Sequence, residues 1–120
     1  MHYPEDYIKQ DRENQKPKHV FILGHKIDIK FADLSEHDEY GEYSCSDDII
    51  QIDNATSELT QRETLMHEIK HAIFDKGGFN EKDEADWDVV FGTFNALEFE
   101  VYRVNPDVAR YIFASGKNFR

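Results

Sequence analysis

The residues of this 120-residue chain best placed to do chemistry are His67, Glu68 and His71, in the run His67-Glu68-Ile69-Lys70-His71. Two histidines four positions apart lie one turn above each other on one face of a helix, so both imidazoles reach a single metal ion. Glu68 is turned about 100° from His67, which puts a carboxylate beside that ion without making it a ligand. This is the donor set of metal-assisted hydrolysis: two nitrogen ligands for zinc, a zinc-bound water, and Glu68 as the base that takes its proton. An H-E-x-x-H run arises by chance in roughly one random chain of this length in several hundred.

The flanking residues predict the helix that presents it. Leu65, Met66, Ile69, Ala72 and Ile73 form an apolar stripe, while Thr64, His67, His71 and Phe74 share the opposite side. Two histidines and an aromatic on that second side suggest that it too is covered. Thr60 and Glu63 fit a capping box, which starts the helix near Gln61, and Lys76-Gly77-Gly78 ends it.

A catalytic zinc normally takes a third protein ligand. The compact pattern with a third histidine needs it at position 77, which is Gly77. His2, His19, His25 and His37 all lie upstream and read as strand-edge or loop residues. The next predicted helix, about Lys82 to Arg103, carries Glu84, Asp88 and Glu98 on one stripe with several aromatics. Carboxylates on such a stripe need a partner, and a metal is one. Asp88, at mid-stripe and 17 residues after His71, is the preferred third ligand, with Glu98 and Glu84 as alternatives.

The elements before the motif read as strands. Val20-Phe21-Ile22-Leu23 is followed by a Gly24-His25 turn, and Ile27, Ile29 and Phe31 then alternate with Lys26, Asp28 and Lys30 as in a half-buried strand. Tyr43 opens a short strand, Ser46-Asp47-Asp48 is a turn, and Ile49–Ile52 is a further strand, expected at the sheet edge above the cleft, where an extended substrate pairs with it. Asn105-Pro106 starts a last helix with a good N-cap and proline in the first turn. Strands first and helices after give an α+β fold, a small twisted antiparallel or mixed sheet packed on the active-site helix and two further helices. Residues 1–17 form a polar arm, 18–114 the domain and 115–120 a polar tail.

Composition narrows the partners. There are 25 acidic against 14 basic residues, a formal charge of −11, which argues against nucleic acid and anionic membrane surfaces. No apolar run is long enough to span a membrane, and the N-terminus lacks the pattern of a secretory signal. The single Cys45 builds no disulfide, in keeping with a reducing compartment, and reads as an ordinary strand or turn residue. Oligomeric state is open.

Thr64-Leu65-Met66-His67-Glu68-Ile69-Lys70-His71-Ala72-Ile73 resembles the active-site helix of ImmA/IrrE-like zinc metallopeptidases, especially small phage-encoded members. The likeness runs from Gly24 and its alternating strand through Gly41-Glu42-Tyr43 and Ile49-Ile50-Gln51-Ile52 to Asn105-Pro106. The resemblance implies a minimal zincin: a small sheet, an active-site helix, and a glutamate ligand from the next helix; with Asn105-Pro106 as the anchor, an acidic position of the family falls at Asp88. Anchored on Asn95, the position holds Phe91 instead. The chain also carries Lys70 where the family often has glycine, a side chain expected at the side of the helix, narrowing the cleft or in solvent. The function implied is zinc-dependent hydrolysis of a peptide bond in a protein or peptide substrate, in the cytoplasm, that of the host for a phage protein. His25, Tyr40 and Tyr43 are open candidates for stabilising the oxyanion. Two rival readings follow from the same residues: an inactive zincin that binds a host or partner protein through its acidic surface, and a domain merely stapled by metal.

Overall fold

The computed structural model describes residues 16–79 and 87–114. Four strands come first: β1 (His19–Ile22), β2 (His25–Ala32), β3 (Gly41–Ser44) and β4 (Ile49–Asp53). Three helices follow: α1 (Glu58–Lys76), α2 (Trp87–Val104) and α3 (Pro106–Phe113). The α+β architecture is as expected.

The strands form one mixed sheet in the order β1-β2-β4-β3. The outer pairs are antiparallel and the central β2–β4 pair is parallel. The chain therefore runs past β2 to the far edge, forms β3, and turns back so that β4 lies between them. This overturns the expected place of Ile49–Ile52. Their nearly unbroken apolar character belongs to an interior strand flanked on both sides, and the edge is β3. The β1–β2 turn is also shifted by one residue. It is Leu23-Gly24, with φ of 49° and 83°, and Ile22 pairs with His25. Two left-handed residues in a row match the type I′ geometry that suits strand twist, and Gly24 meets it without steric cost.

One face of the sheet carries Val20, Ile22, Ile27, Ile29, Ile50 and Ile52, all buried against the helices. The other face carries Lys26, Asp28, Lys30 and Gln51. Leu65, Ile69, Ala72 and Ile73 of α1 are fully buried on the apolar face, as their spacing predicts. Burial of each larger side chain stabilises the fold by about 1.5–3 kcal/mol. The helix begins three residues before the expected start. Asp53 Oδ1 accepts from the N–H groups of Leu34 and Ala55, which ties down the preceding loop. Ser57 then becomes the N-cap, its Oγ accepting from Thr60 N–H at 3.1 Å.

Asn105 does not cap α3 with its side chain. Its Oδ1 accepts from Phe21 N–H and its Nδ2 donates to Phe21 O, both at 2.8 Å. Nδ2 also donates to Val101 O. One side-chain amide thus stands in for a neighbouring strand at the edge of β1. Of the expected polar arm, residues 1–15 lie outside the described residues. Pro17 is buried, and Lys16 donates to Gln61 Oε1 at 3.0 Å. The expected tail, 115–120, and residues 82–86 of the expected second helix also lie outside the described residues.

Candidate metal centre

On α1 the side opposite the core meets β3, and the gap between them opens into a cleft of about 1040 Å³. His67 and His71 project into it with their Nε2 atoms 3.1 Å apart. As they stand, one ring donates to the other. Two nitrogens bound to one tetrahedral zinc at about 2.0–2.1 Å lie about 3.3–3.4 Å apart, so the pair needs almost no movement to share an ion. Donor atoms of His67, Glu68 and His71 all lie within 4.8 Å of one another, the one such group among the described residues. The expectation that the histidine side of α1 is covered is met only at its ends: both histidines are exposed to the cleft, while Thr64 and Phe74 are half-buried.

Glu68 differs from its neighbours. It is 7% exposed but lines the cleft. Burial pushes its carboxyl above the ordinary carboxylate range, and the charge of Glu39 adds to this. The imidazoles of His71 and His67 and the backbone N–H of Tyr43 act in the opposite direction. A carboxyl so balanced holds and releases a proton more readily near neutrality than an exposed one.

The strand over the cleft can be read down to its main-chain groups. Asp53 N–H donates to Tyr40 O at 2.8 Å, which makes that pair hydrogen-bonded. Antiparallel alternation then turns the N–H and C=O groups of Gly41 and Tyr43 away from β4, toward the free edge. Two side-chain contacts hold this edge to α1. An added Cβ at Gly41 would sit 2.5 Å from Thr64 Cγ2 and 2.9 Å from Gln51 O, so only glycine allows this approach. Tyr43 Oη donates to Asp75 Oδ2 at 2.7 Å. Burial, and then Asp75, push the Tyr43 phenol well above its usual range.

The other predicted residues separate in space. His25 does not line the cleft, whereas Tyr40 and Tyr43 do, Tyr40 exposed at its rim. His19 and His37 do not join the His67–His71 group. Cys45 is exposed in the β3–β4 turn. Asp88 falls in the first turn of α2, and its side chain lies outside the described residues, as does all of Glu84. Glu98 is engaged elsewhere: its Oε2 accepts from Lys70 Nζ at 2.5 Å. Lys70 also lies 5.7 Å from the Phe94 ring centroid. It therefore does not narrow the cleft; its partly exposed side chain ties α1 to α2. Reading the sequence by motif missed Glu39, Gly41, Glu63 and Asp75 as cleft residues. Glu63 and Asp75 were open to discovery, since they sit four residues before His67 and four after His71.

A His-Glu-His group on a helix beneath a free sheet edge, in an α+β domain, defines a metallopeptidase-like protein. The chain belongs to the Peptidase M78 family, the IrrE N-terminal-like domain, whose family profile matches residues 23–89, more than half its length. That match includes His67, Glu68, His71 and Asp88 and ends before Glu98. Comparisons with curated proteins and with solved structures found no match. No helix among the described residues is long and apolar enough to cross a membrane.

Proposed function

We propose that the protein is a zinc-dependent peptidase, with His67, His71 and Asp88 as metal ligands and Glu68 as general base. The observation that carries this reading is the 3.1 Å approach of the two Nε2 atoms beside a buried carboxyl that opens into the cleft. Asp88 is preferred over Glu98 because Lys70 already holds the Glu98 carboxylate. Zinc bound there would supply Lewis-acid polarisation of the scissile carbonyl and bring water toward ionisation near neutral pH. Glu68 takes the proton from the attacking water and later delivers it to the leaving nitrogen. The outward N–H and C=O of Gly41 and the C=O of Tyr43 pair with an extended substrate as an added strand, which aligns its backbone over Glu68, the carboxyl that the Tyr43 N–H already meets. Tyr40, its phenol at the rim, is the better placed of the two tyrosines to meet an oxyanion, because Tyr43 already donates to Asp75.

The test is zinc stoichiometry by elemental analysis on the wild type and on His67→Ala, Asp88→Ala and Glu98→Ala, followed by peptide hydrolysis. One zinc per chain is expected, lost in His67→Ala and Asp88→Ala and kept in Glu98→Ala. Failure to take up zinc after reconstitution would remove the peptidase reading. Zinc uptake without hydrolysis would leave a metal-bearing binding protein.

A further inference from the structure

The cleft around His67, Glu68 and His71 is lined by carboxylates on both sides and by no lysine or arginine among the described residues. Glu63 lies one turn before His67 and Asp75 one turn after His71, on the same face of α1. Glu39 joins Glu63's end from the loop ahead of β3. The neighbouring cations on α1 are already engaged: Lys70 is bridged to Glu98, and Lys76 to Asp48 at 2.6 Å. Lys76 reaches Asp75 only at 3.9 Å. Glu39 and Glu63 have no ion-pair partner among the described residues. Two further features mark the same cleft as a binding site: Glu68 is more than nine-tenths buried yet faces into it, and the outward N–H and C=O of Gly41 and C=O of Tyr43 border it.

An open cleft with one sign of charge concentrates ligands of the opposite sign and repels those of its own. Here the charges flank the reactive group rather than surround a distant patch, so they act on residues either side of the bond to be cut. Resting on the peptidase reading, we propose that the cleft selects a cationic peptide segment. A lysine or arginine before or after the scissile bond would meet Glu39 and Glu63, and one on the other side would meet Asp75. Each contact is partly solvated and worth a few-fold in affinity; together they give about tenfold over an acidic peptide. Solvated contacts of this kind are screened by salt.

The test uses the full chain, reconstituted with zinc and carrying Glu68→Gln so that bound peptide survives. Two matched fluorescent peptides are titrated by anisotropy, one with lysines and one with glutamates at the same positions. The lysine peptide should bind about tenfold more tightly, with the gap closing in high salt and in a further Glu63→Lys variant. Equal affinities, tighter binding of the glutamate peptide, or binding of neither would overturn the proposal. Hydrolysis of the same peptides by protein with Glu68 intact separates the two readings. Selective binding without hydrolysis would remove the peptidase and keep the charge selection. Equal cleavage of both peptides would do the reverse.

Discussion

At the scale of single residues, the proposed chemistry rests on Glu68, and its placement costs stability. A carboxyl whose folded pKa lies above its unfolded value contributes stability that is fully present below the unfolded pKa. That contribution is lost as pH rises through the folded pKa. Above that folded pKa, in metal-free protein, the charged Glu68 is therefore a burden. Glu68→Gln should melt at a higher temperature than the wild type in chelator at pH 7, and the gap should narrow on acidification. The same change should lower hydrolysis by the zinc form about 10²–10⁴-fold, the usual worth of a general base. Differential scanning calorimetry across pH and a peptide assay check the two halves. A variant equally active, or less stable without metal, would contradict this account of Glu68.

At the scale of elements, the seam between β3 and α1 sets the shape of the cleft. Gly41 against Thr64 and Tyr43 against Asp75 pin the strand at two points along the helix, and the histidine pair lies between them. Gly41→Ala brings a Cβ against Thr64 Cγ2 and against the carbonyl of Gln51, which is backbone and cannot turn aside. The expected cost is about 1–3 kcal/mol, with a weakened substrate KM. Adding Thr64→Ser removes the methyl while keeping the hydroxyl that donates to Thr60 O, so it should recover part of the loss. Urea denaturation of the single and double variants measures this. Full recovery would mean that the Gln51 contact is irrelevant. The two sheet edges are treated differently: Asn105 satisfies the edge of β1, whereas among the described residues no strand pairs with the edge of β3 over the cleft, where only the Tyr43 N–H meets the Glu68 carboxyl. An unpaired edge is a liability unless something is meant to pair with it.

At the scale of the whole molecule, core and candidate metal centre lie on opposite sides of α1. Leu65, Ile69 and Ile73 pack on the sheet, while His67 and His71 face the cleft. Nothing in the apolar core depends on an ion, so the fold should outlast metal removal. Chelation should leave far-UV circular dichroism unchanged and the melting transition cooperative. Stability should fall by only the binding linkage, about 3 kcal/mol where free zinc stood a hundredfold above its Kd. Collapse of the transition on chelation would instead point to a structural metal.

Much of this was legible in the chain because local rules decide it. Four-residue spacing puts His67 and His71 on one face of any helix, and the Leu65-Ile69-Ala72-Ile73 stripe decides which side is buried, so the motif and its orientation need no tertiary information. The alternation at Ile27, Ile29 and Phe31 likewise announces a half-buried strand. The family resemblance rests on those same residues. What the tertiary structure decided concerns pairing between distant segments. Strand order is not a local property, so Ile49–Ile52 read as an edge and proved to be interior, and the edge passed to Gly41–Ser44. The side chain of Asn105 serves a strand some 80 residues away rather than its own helix, and Lys70 takes Glu98 because α2 packs beside α1. The acidic lining was divided between the two levels: Glu63 and Asp75 follow from helical periodicity, but Glu39 reaches the cleft only because β3 is laid along α1.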